Sequence, residues 1–167
     1  MEYKHLVHSF DPIYDENSKI MILGSFPSVK SREIDFYYGH KQNRYWKVLA
    51  NIFGIPVPET PEEKRKMLIE NNVAIWDVIH SCSIIGSSDS SIKDVVVNDF
   101  SEILENSQVE TIYVNGGKAY DLYHKYAEKA TGIKAIKLPS TSPANAAWSL
   151  ERLCDAWGKE IKKSLGL

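Results

Sequence analysis

The sequence has few cysteines and no long apolar run, and both absences restrict what the protein can be. Only Cys82 and Cys154 occur among its 167 residues, which is too few for a disulfide framework and lacks the spacing of a metal site. No apolar stretch approaches the ~20 residues that span a bilayer. The first six residues lack the basic flank and apolar core of a secretory signal. We therefore expect a cytoplasmic protein, nucleoid-associated in a prokaryote, with no metal, no cofactor and no membrane association.

An excess of positive charge is also missing, since the formal net charge is −2 at pH 7. Proteins that wrap long DNA carry a basic footprint, so this charge balance does not fit that kind of binding. The segment from Val29 to Arg44 nevertheless has a local charge of +2 before His40 is counted. A small positive patch on a slightly acidic protein fits an enzyme that grips a few phosphates.

Length and patterning predict one α/β domain over residues 1–167. Short β-like runs alternate with helical patterns, which implies a mostly parallel sheet with helices on both faces. In such sheets a ligand binds at the carboxyl ends of the strands, near a switch point in strand order. The predicted strands are Lys19–Gly24, Val73–Val78, Thr111–Asn115 and Ile133–Leu138.

Capping residues and apolar spacing place helices between these strands. Thr60-Pro61 opens a helix that ends near Asn72, and Ser142-Pro143 is expected to open the C-terminal helix. The serine-rich stretch from Ser81 to Ser91 is expected to be an irregular, mobile loop. The other predicted helices run from Asn98 to about Asn106 and from Gly116-Gly117 to about Ala130, and the C-terminal apolar stripe is Leu150, Leu153, Cys154, Trp157, Ile161 and Leu165.

Two turn-rich segments follow predicted strands, and each has two interpretations. Gly24-Ser-Phe-Pro-Ser28 is either a plain turn stiffened by Pro27 or a loop whose main-chain N–H groups bind a carbonyl-bearing ring or a phosphate. Ser140-Thr-Ser-Pro-Ala-Asn145 is either a capped helix start or an anion site for a DNA phosphate. Because both segments follow strand ends, we expect them to face each other across one cleft.

The segment from Phe36 to Trp46 joins aromatic rings to a polar amide. Three adjacent aromatics cannot all face one way, so at least one of them should be exposed or line a cavity, where an aromatic face suits a base taken out of the stack. Asn43 is either an ordinary helix N-cap or an uncharged amide that orients a water or hydrogen-bonds a leaving base. His40 is a candidate proton donor or phosphate contact.

Two further features carry less information about function. Gly116-Gly117-Lys118 follows a strand like a phosphate-binding turn, but it lacks the full G-x-x-x-x-G-K-[ST] pattern. Asp77, beside Trp76, is either a buried general base or a polar strand end, and the second interpretation is slightly favoured.

Together these segments resemble the uracil-DNA glycosylase superfamily, and most closely its hypoxanthine-DNA glycosylase branch. The resemblance covers essentially the whole chain and implies a three-layer α/β/α sandwich with a central four-stranded parallel sheet. It also implies metal-independent hydrolysis of the N-glycosidic bond of a deaminated base, hypoxanthine first, by a monomer that flips the base out of double-stranded DNA and leaves an abasic site. The matching segments are Gly24–Ser28, Phe36–Trp46, Ala74–Val78 and Leu138–Asn145.

The resemblance also implies roles for individual residues. Many members of the superfamily position the attacking water with an Asp or Asn where this chain has Phe26, so catalysis is expected to rest on Asn43. Tyr38 would stack on the flipped base, and Lys41 stands where relatives commonly have proline. The expected base-binding residues are Gly24, Ser25, Phe26, Pro27, Ser28, Phe36, Tyr37, Tyr38 and His40, and the expected DNA-binding residues are Ser31, Lys41, Ser140, Thr141, Ser142, Pro143 and Asn145.

Other functions remain open at this point. The same chemistry could act on uracil or a mismatched thymine, because pocket size decides between purine and pyrimidine. A non-catalytic DNA-lesion binder would keep the stacking rings and tolerate loss of Asn43. A flavodoxin-like nucleotide-binding module would use Gly116-Gly117-Lys118 and bind free nucleotides in place of DNA.

Overall fold

The computed structural model describes residues 2–167, which form two β-sheets and the helices around them. The strands are β1 (Lys4–Val7), β2 (Ile20–Gly24), β3 (Val73–Asp77), β4 (Ile79–Ile84), β5 (Lys93–Val97), β6 (Thr111–Asn115) and β7 (Ile136–Leu138). The helices are α1 (Val29–Ile34), α2 (Tyr45–Phe53), α3 (Pro61–Glu70), α4 (Ser101–Glu105), α5 (Gly117–Tyr126), α6 (Glu128–Thr131) and α7 (Leu150–Leu165), and a 3-10 turn spans Asp89–Ser91.

The main sheet is parallel, with the strand order β3-β2-β6-β7. Its central strand β2 is buried on both faces, which explains its nearly continuous apolar sequence. Ile20 and Ile22 point into one core cluster, while Met21 and Leu23 point into the other. Full burial of an aliphatic side chain stabilises a fold by about 1.5–3 kcal/mol, so β2 anchors both layers.

Helices cover both faces of this sheet and complete the three-layer arrangement. Leu49 of α2, Leu68 of α3 and Trp157 of α7 pack into the cluster that contains Ile20 and Ile22. On the opposite face, α4 and α5 contribute Ile103 and Tyr123. The predicted α/β/α sandwich with a central four-stranded parallel sheet is therefore confirmed.

A second, antiparallel sheet with the order β1-β4-β5 was not predicted. The expectation of an irregular loop from Ser81 to Ser91 is wrong for residues 81–84, which belong to β4. Serines in this strand pair with β1 while the intervening Cys82 is fully buried. The serine content disguised this largely buried strand, because small polar residues are typical of turns.

Several helix and strand boundaries also differ from the prediction. The C-terminal helix begins at Leu150 after an N-cap bond from Arg152 N to Ser149 Oγ (3.2 Å), so the start predicted at Ser142-Pro143 is wrong, and residues 142–148 form turns. The last strand of the sheet covers only Ile136–Leu138, and the predicted helix from Gly117 divides into α5 and α6.

The strand register brings the two turn-rich segments, Gly24–Ser28 and Ser140–Asn145, to the same edge of the main sheet. Gly24 pairs with Asp77 at the carboxyl ends of β2 and β3, and Asn115 pairs with Leu138 at those of β6 and β7. The strand that follows β2 in this sheet, β3, pairs on one side of β2, and the next strand, β6, pairs on its other side. The strand order therefore reverses between β2 and β6, which makes this position a switch point. No helix within residues 2–167 is long and apolar enough to cross a membrane.

Candidate active site

A cleft of about 320 Å³ opens at the carboxyl edge of the main sheet. The ends of β2, β3 and β6 line it together with the loop after β7. The first and last sequence motifs therefore meet in one cleft. Of the predicted site residues, Gly24, Ser25, Phe26, Pro27, Ser28, Ser31, Tyr37, Tyr38, His40, Asn43, Ser140, Thr141, Ser142 and Pro143 line it, and Phe36, Lys41 and Asn145 do not.

The Asn43 amide is held in one orientation. Its Oδ1 accepts hydrogen bonds from Tyr45 N (2.9 Å) and from the Thr141 hydroxyl (2.8 Å). A main-chain N–H can only donate, so the atom facing Tyr45 N must be the oxygen. The amide nitrogen Nδ2 is therefore left for a ligand in the cleft. The bond to Tyr45 N also ties Asn43 to the start of α2. The N-cap of this helix is Arg44, so the interpretation of Asn43 as an ordinary N-cap is wrong, and Asn43 lines the cleft.

Thr141 is the residue that links the two motifs. It is completely buried, and its hydroxyl accepts from Asn115 Nδ2 (2.9 Å) while donating to Asn43. Its main-chain N–H donates to Asn115 Oδ1 (3.1 Å). The DNA contact predicted for Thr141 stays a prediction, and in the structure its hydroxyl is already used by Asn43 and Asn115. These contacts orient the Asn43 amide.

Arg44 fixes the loop that carries Thr141. Its guanidinium donates to the main-chain oxygens of Thr141 (3.3 Å), Ser142 (2.8 Å) and Asn145 (3.1 Å), and also to that of Trp148. The guanidinium presents a rigid fork of donors, which suits several carbonyls of one curved loop. The sequence marked Arg44 only as a positive charge and missed this contact set.

Tyr38 presents an aromatic surface to the cleft. One face of its ring stacks on Tyr45, with centroids 4.0 Å apart and planes inclined by 15°. Tyr38 has a positive φ of 51°, and the next residue, Gly39, donates its N–H to Ser31 Oγ (3.0 Å). Burial, and to a smaller extent the Asp77 carboxylate, raises the pKa of Tyr38 above its ordinary value, so its hydroxyl stays protonated.

The neighbouring aromatics differ from Tyr38 in their surroundings. Tyr37 lines the cleft, although it is 2% exposed and its hydroxyl donates to Asp11 O (2.8 Å). Phe36 packs against Trp46 in the core. Phe36 does not line the cleft, and the base contact predicted for it stays a prediction.

At the first motif, the backbone at the end of β2 passes very close to polar side chains of the cleft. A Cβ on Gly24 would lie 2.5 Å from Asp77 Oδ1 and 2.9 Å from Tyr38 Oη, so this position requires glycine. Ser28 caps α1 by accepting from Ser31 N (3.2 Å). Ser31 is 2% exposed and lines the cleft, and the DNA contact predicted for it stays a prediction.

A buried hydrogen bond between His8 and Asp77 lies at the cleft and was missed by the sequence. His8 Nε2 is 2.8 Å from Asp77 Oδ2, with side chains only 2% and 6% exposed. His8 follows the short strand β1, and 69 residues separate the partners. Asp77 is both the polar strand end that the sequence favoured and a lining residue of the cleft. Residues 2–167 contain no group of three or more His, Cys, Asp and Glu that could hold a metal ion.

The segment after β4 forms another wall of the cleft. Ser87 Oγ accepts from Val29 N (2.8 Å), and Arg32 donates to Gly86 O (3.1 Å), so both contacts tie this wall to α1. Asp89 accepts from Ser25 Oγ (3.2 Å). Partial desolvation raises the pKa of Asp89, while the Ser25 bond and Lys118 act in the opposite direction.

A shallower groove of about 590 Å³ continues from the cleft. It shares Asp89, Ser140 and Ser142 with the cleft and extends past Gly116 and Gly117. Asn145, predicted to bind DNA, lies in this groove, and its Nδ2 donates to Ser140 O (3.0 Å). Lys41 is exposed and lines neither cavity.

Known proteins are similar in sequence to this chain over most of its length. The family model described as the Uracil DNA glycosylase superfamily matches residues 12–160. A protein of Methanosarcina acetivorans named Hypoxanthine DNA glycosylase is 36% identical over 145 residues, which are 86% of this chain and 90% of the relative. A protein of the same name from Methanosarcina barkeri is 31% identical over 156 residues, which are 92% of this chain and 97% of the relative.

A solved structure shares the fold. The solution NMR structure of a candidate uracil DNA glycosylase from Methanosarcina acetivorans matches with a TM-score of 0.79 at 34% identity, covering 93% of this chain and 96% of that one. The matched range of the family model contains both motif loops and the four strands of the main sheet. The resemblance predicted from the sequence is confirmed, and the chain belongs to the uracil DNA glycosylase superfamily.

Proposed function

We propose that this protein is a monofunctional DNA glycosylase that hydrolyses the N-glycosidic bond of a deaminated base, hypoxanthine first, and leaves an abasic site. The observation that carries the proposal is the fixed Asn43 amide, whose free nitrogen shares a cleft with the Tyr38 ring. The two Methanosarcina relatives that carry the name Hypoxanthine DNA glycosylase support the same activity. The enzyme acts as a monomer on double-stranded DNA.

The flipped base stacks on Tyr38 in this proposal. Tyr45 covers one face of the Tyr38 ring, which leaves the other face for a ligand. Flipping costs a few kcal/mol and is least costly at a mispaired base, so deaminated sites are favoured before any contact to the base is made. A protonated Tyr38 hydroxyl adds no negative charge beside a leaving base that gains electrons.

Asn43 stabilises the leaving base in place of activating water. Both lone pairs of its Oδ1 are used by Tyr45 N and Thr141, so this oxygen has no capacity left to orient a water. Its Nδ2 donates to the base as negative charge develops there. Main-chain N–H groups of residues 25, 26 and 28 supply further donors. Each such donor contributes about 3 kcal/mol in comparable oxyanion sites. Water then attacks the anomeric carbon of an oxocarbenium-like sugar, and the proton that it loses neutralises the departed base anion.

The DNA backbone lies along the turn after β7 and its groove. Ser140 and Ser142 line both cavities, and their hydroxyls contact phosphates that flank the flipped nucleotide. His40 lines the cleft and the exposed Lys41 follows it in sequence, and both offer polar or cationic groups to the DNA backbone. A small number of phosphate contacts is consistent with the formal net charge of −2.

Cleavage of modified duplexes tests the proposal. The protein is incubated with duplexes that contain deoxyinosine, deoxyuridine or a G·T mismatch, and abasic sites are then cleaved with alkali. We expect strand breaks at deoxyinosine first. Breaks only at deoxyuridine or at the mismatched thymine would change the substrate and keep the chemistry. Binding to all three duplexes with no breaks would contradict the glycosylase and favour a lesion-binding protein.

A further inference from the structure

The guanidinium of Arg32 bonds two main-chain oxygens that belong to different walls of the cleft. It donates to Pro27 O (2.7 Å) in the first motif and to Gly86 O (3.1 Å) in the segment after β4. Its Cζ also lies 5.9 Å from the centre of the Phe26 ring. No salt bridge within residues 2–167 includes Arg32. Arg32 therefore joins the two walls through a planar fork of donors, which a lysine lacks.

The bond to Pro27 O fixes the direction of the next main-chain N–H. The oxygen of Pro27 and the N–H of Ser28 belong to one planar trans peptide, in which they point in opposite directions. Because the oxygen faces Arg32, the Ser28 N–H faces away from Arg32. Pro27 and Ser28 line the cleft, whereas Arg32 lies behind them and does not. The Ser28 N–H is therefore directed to the cleft side of the loop.

Two earlier peptides of the same loop are held in a similar way, but by the backbone. Gly24 O accepts from Val78 N (2.8 Å), and Ser25 O accepts from Ile79 N (3.1 Å). Each bond sets the direction of the N–H group that belongs to the same peptide. The turn between β3 and β4 thus holds the first part of the loop, and the Arg32 side chain holds the part that follows.

We propose that Arg32 is a positioning residue for bond cleavage, which holds the Ser28 N–H in place to bond the base as negative charge develops on it. The inference rests on the proposed function. A donor that is already oriented stabilises the charge of a transition state without a cost of reorganisation. Because the bound base is neutral before cleavage, a donor that can rotate lowers the cleavage rate more than the affinity.

Arg32→Lys keeps the positive charge, removes the fork and tests the proposal. Single-turnover rates are measured on duplexes that contain deoxyinosine or the same nucleoside with a fluorine on its base, which makes the departing base more acidic. We expect the deoxyinosine rate to fall by about tenfold. The rate on the fluorinated base should fall by about threefold or less, because a more acidic base needs less stabilisation of its charge.

Binding is measured separately, on a duplex whose deoxyinosine carries a fluorine on C2′ of the sugar and therefore resists cleavage. Its dissociation constant should change by less than about threefold in Arg32→Lys. Arg65→Lys is the matched control, because Arg65 is exposed on α3 and lines neither cavity, and it should alter neither the rates nor the affinity. Should Arg32→Lys fail to fold, Arg32→Gln also lacks the fork and should give the same unequal loss of the two rates.

Three results would overturn the role of Arg32 and leave the proposed function intact. They are full deoxyinosine cleavage by Arg32→Lys, equal losses on the two substrates, and a loss of affinity as large as the loss of rate. A wild-type protein that cleaves no deaminated base would instead overturn the proposed function, and this inference with it.

Discussion

The Thr141 hydroxyl donates a 2.8 Å hydrogen bond to Asn43 Oδ1 across 98 residues of sequence. This bond joins the turn after β7 to the start of α2, and it decides which atom of the Asn43 amide faces the cleft. The backbone N–H of Tyr45 enforces the same choice from the other side. The orientation of the Asn43 amide is thus set by one buried hydroxyl and one main-chain donor.

Thr141→Val should remove this control while keeping the side-chain shape. The change leaves Asn43 Oδ1 and Asn115 Nδ2 each without one partner in a buried place, at a cost of about 1–3 kcal/mol in the free energy of unfolding. We expect a single-turnover rate about tenfold lower on deoxyinosine, since the amide can then rotate. Thr141→Ser keeps the hydroxyl and is the control. A fully active Thr141→Val would show that Tyr45 N alone orients Asn43.

Asn43→Asp separates the two possible roles of this residue. A carboxylate still accepts from Tyr45 N and Thr141 but lacks the NH₂ donor, and it brings a negative charge beside the leaving base. If Nδ2 is the catalytic group, Asn43→Asp loses at least as much rate as Asn43→Ala, by about a hundredfold or more. Comparing the two variants by single-turnover cleavage of deoxyinosine decides the matter. An Asn43→Asp protein more active than Asn43→Ala would assign the residue to water activation.

The fold and the outline of the site follow from local sequence patterns, and the contacts that orient the site do not. The apolar run of β2 and the turns after the strand ends predict a parallel sheet with a cleft at its carboxyl edge. Thr141 lies in a Ser-Thr-Ser-Pro stretch that is typical of an exposed turn, yet tertiary packing buries it completely. The pairing of His8 with Asp77 depends on where a short, mostly exposed strand places its end, and no local pattern carries that information.

Arg44→Lys should loosen the loop that holds Thr141. A lysine ammonium is compact and cannot reach four carbonyls in the way that a guanidinium does. We expect the free energy of unfolding to fall by about 2 kcal/mol, together with weaker binding to a duplex that carries an abasic site. Chemical denaturation and fluorescence anisotropy measure the two effects. Arg65→Lys, on the exposed side of α3, should change neither. Unaltered DNA binding in Arg44→Lys would mean that the loop keeps its shape without this contact set.

Gly24→Ala tests how closely the backbone must approach the polar atoms of the cleft. The new Cβ would lie 2.5 Å from Asp77 Oδ1 and 2.9 Å from Tyr38 Oη, so one of these side chains must move. We expect a stability loss of about 1–3 kcal/mol and a clear loss of deoxyinosine cleavage. Gly158→Ala is the matched control, because its Cβ would meet only Ile52 Cγ1 at an ordinary 3.7 Å. Wild-type cleavage by Gly24→Ala would mean that Asp77 and Tyr38 need not hold their positions.

Asp89 should make DNA binding depend on pH. Partial desolvation raises the pKa of its carboxyl group, so the folded protein takes up a proton at a higher pH than the unfolded chain. Folding stability therefore decreases as pH rises from the ordinary aspartate range through the raised pKa, and above that range the ionised group opposes folding. The same negative charge lies where the cleft meets the groove, and it repels phosphates there.

Asp89→Asn removes that charge and should tighten binding to an abasic-site duplex by about fivefold at neutral pH and low salt. Wild-type binding should approach that of the variant as pH falls through the raised pKa of Asp89, because protonation then neutralises the carboxylate. Binding isotherms across the acidic range, with Asp94→Asn on the exposed strand β5 as the control for general charge, measure the difference. Added salt should reduce the gain, since exposed charges are screened within about 10 Å at 0.1 M ionic strength. Equal pH profiles for wild type and Asp89→Asn would place the DNA path away from this carboxylate and would assign the phosphates to the opposite rim of the cleft.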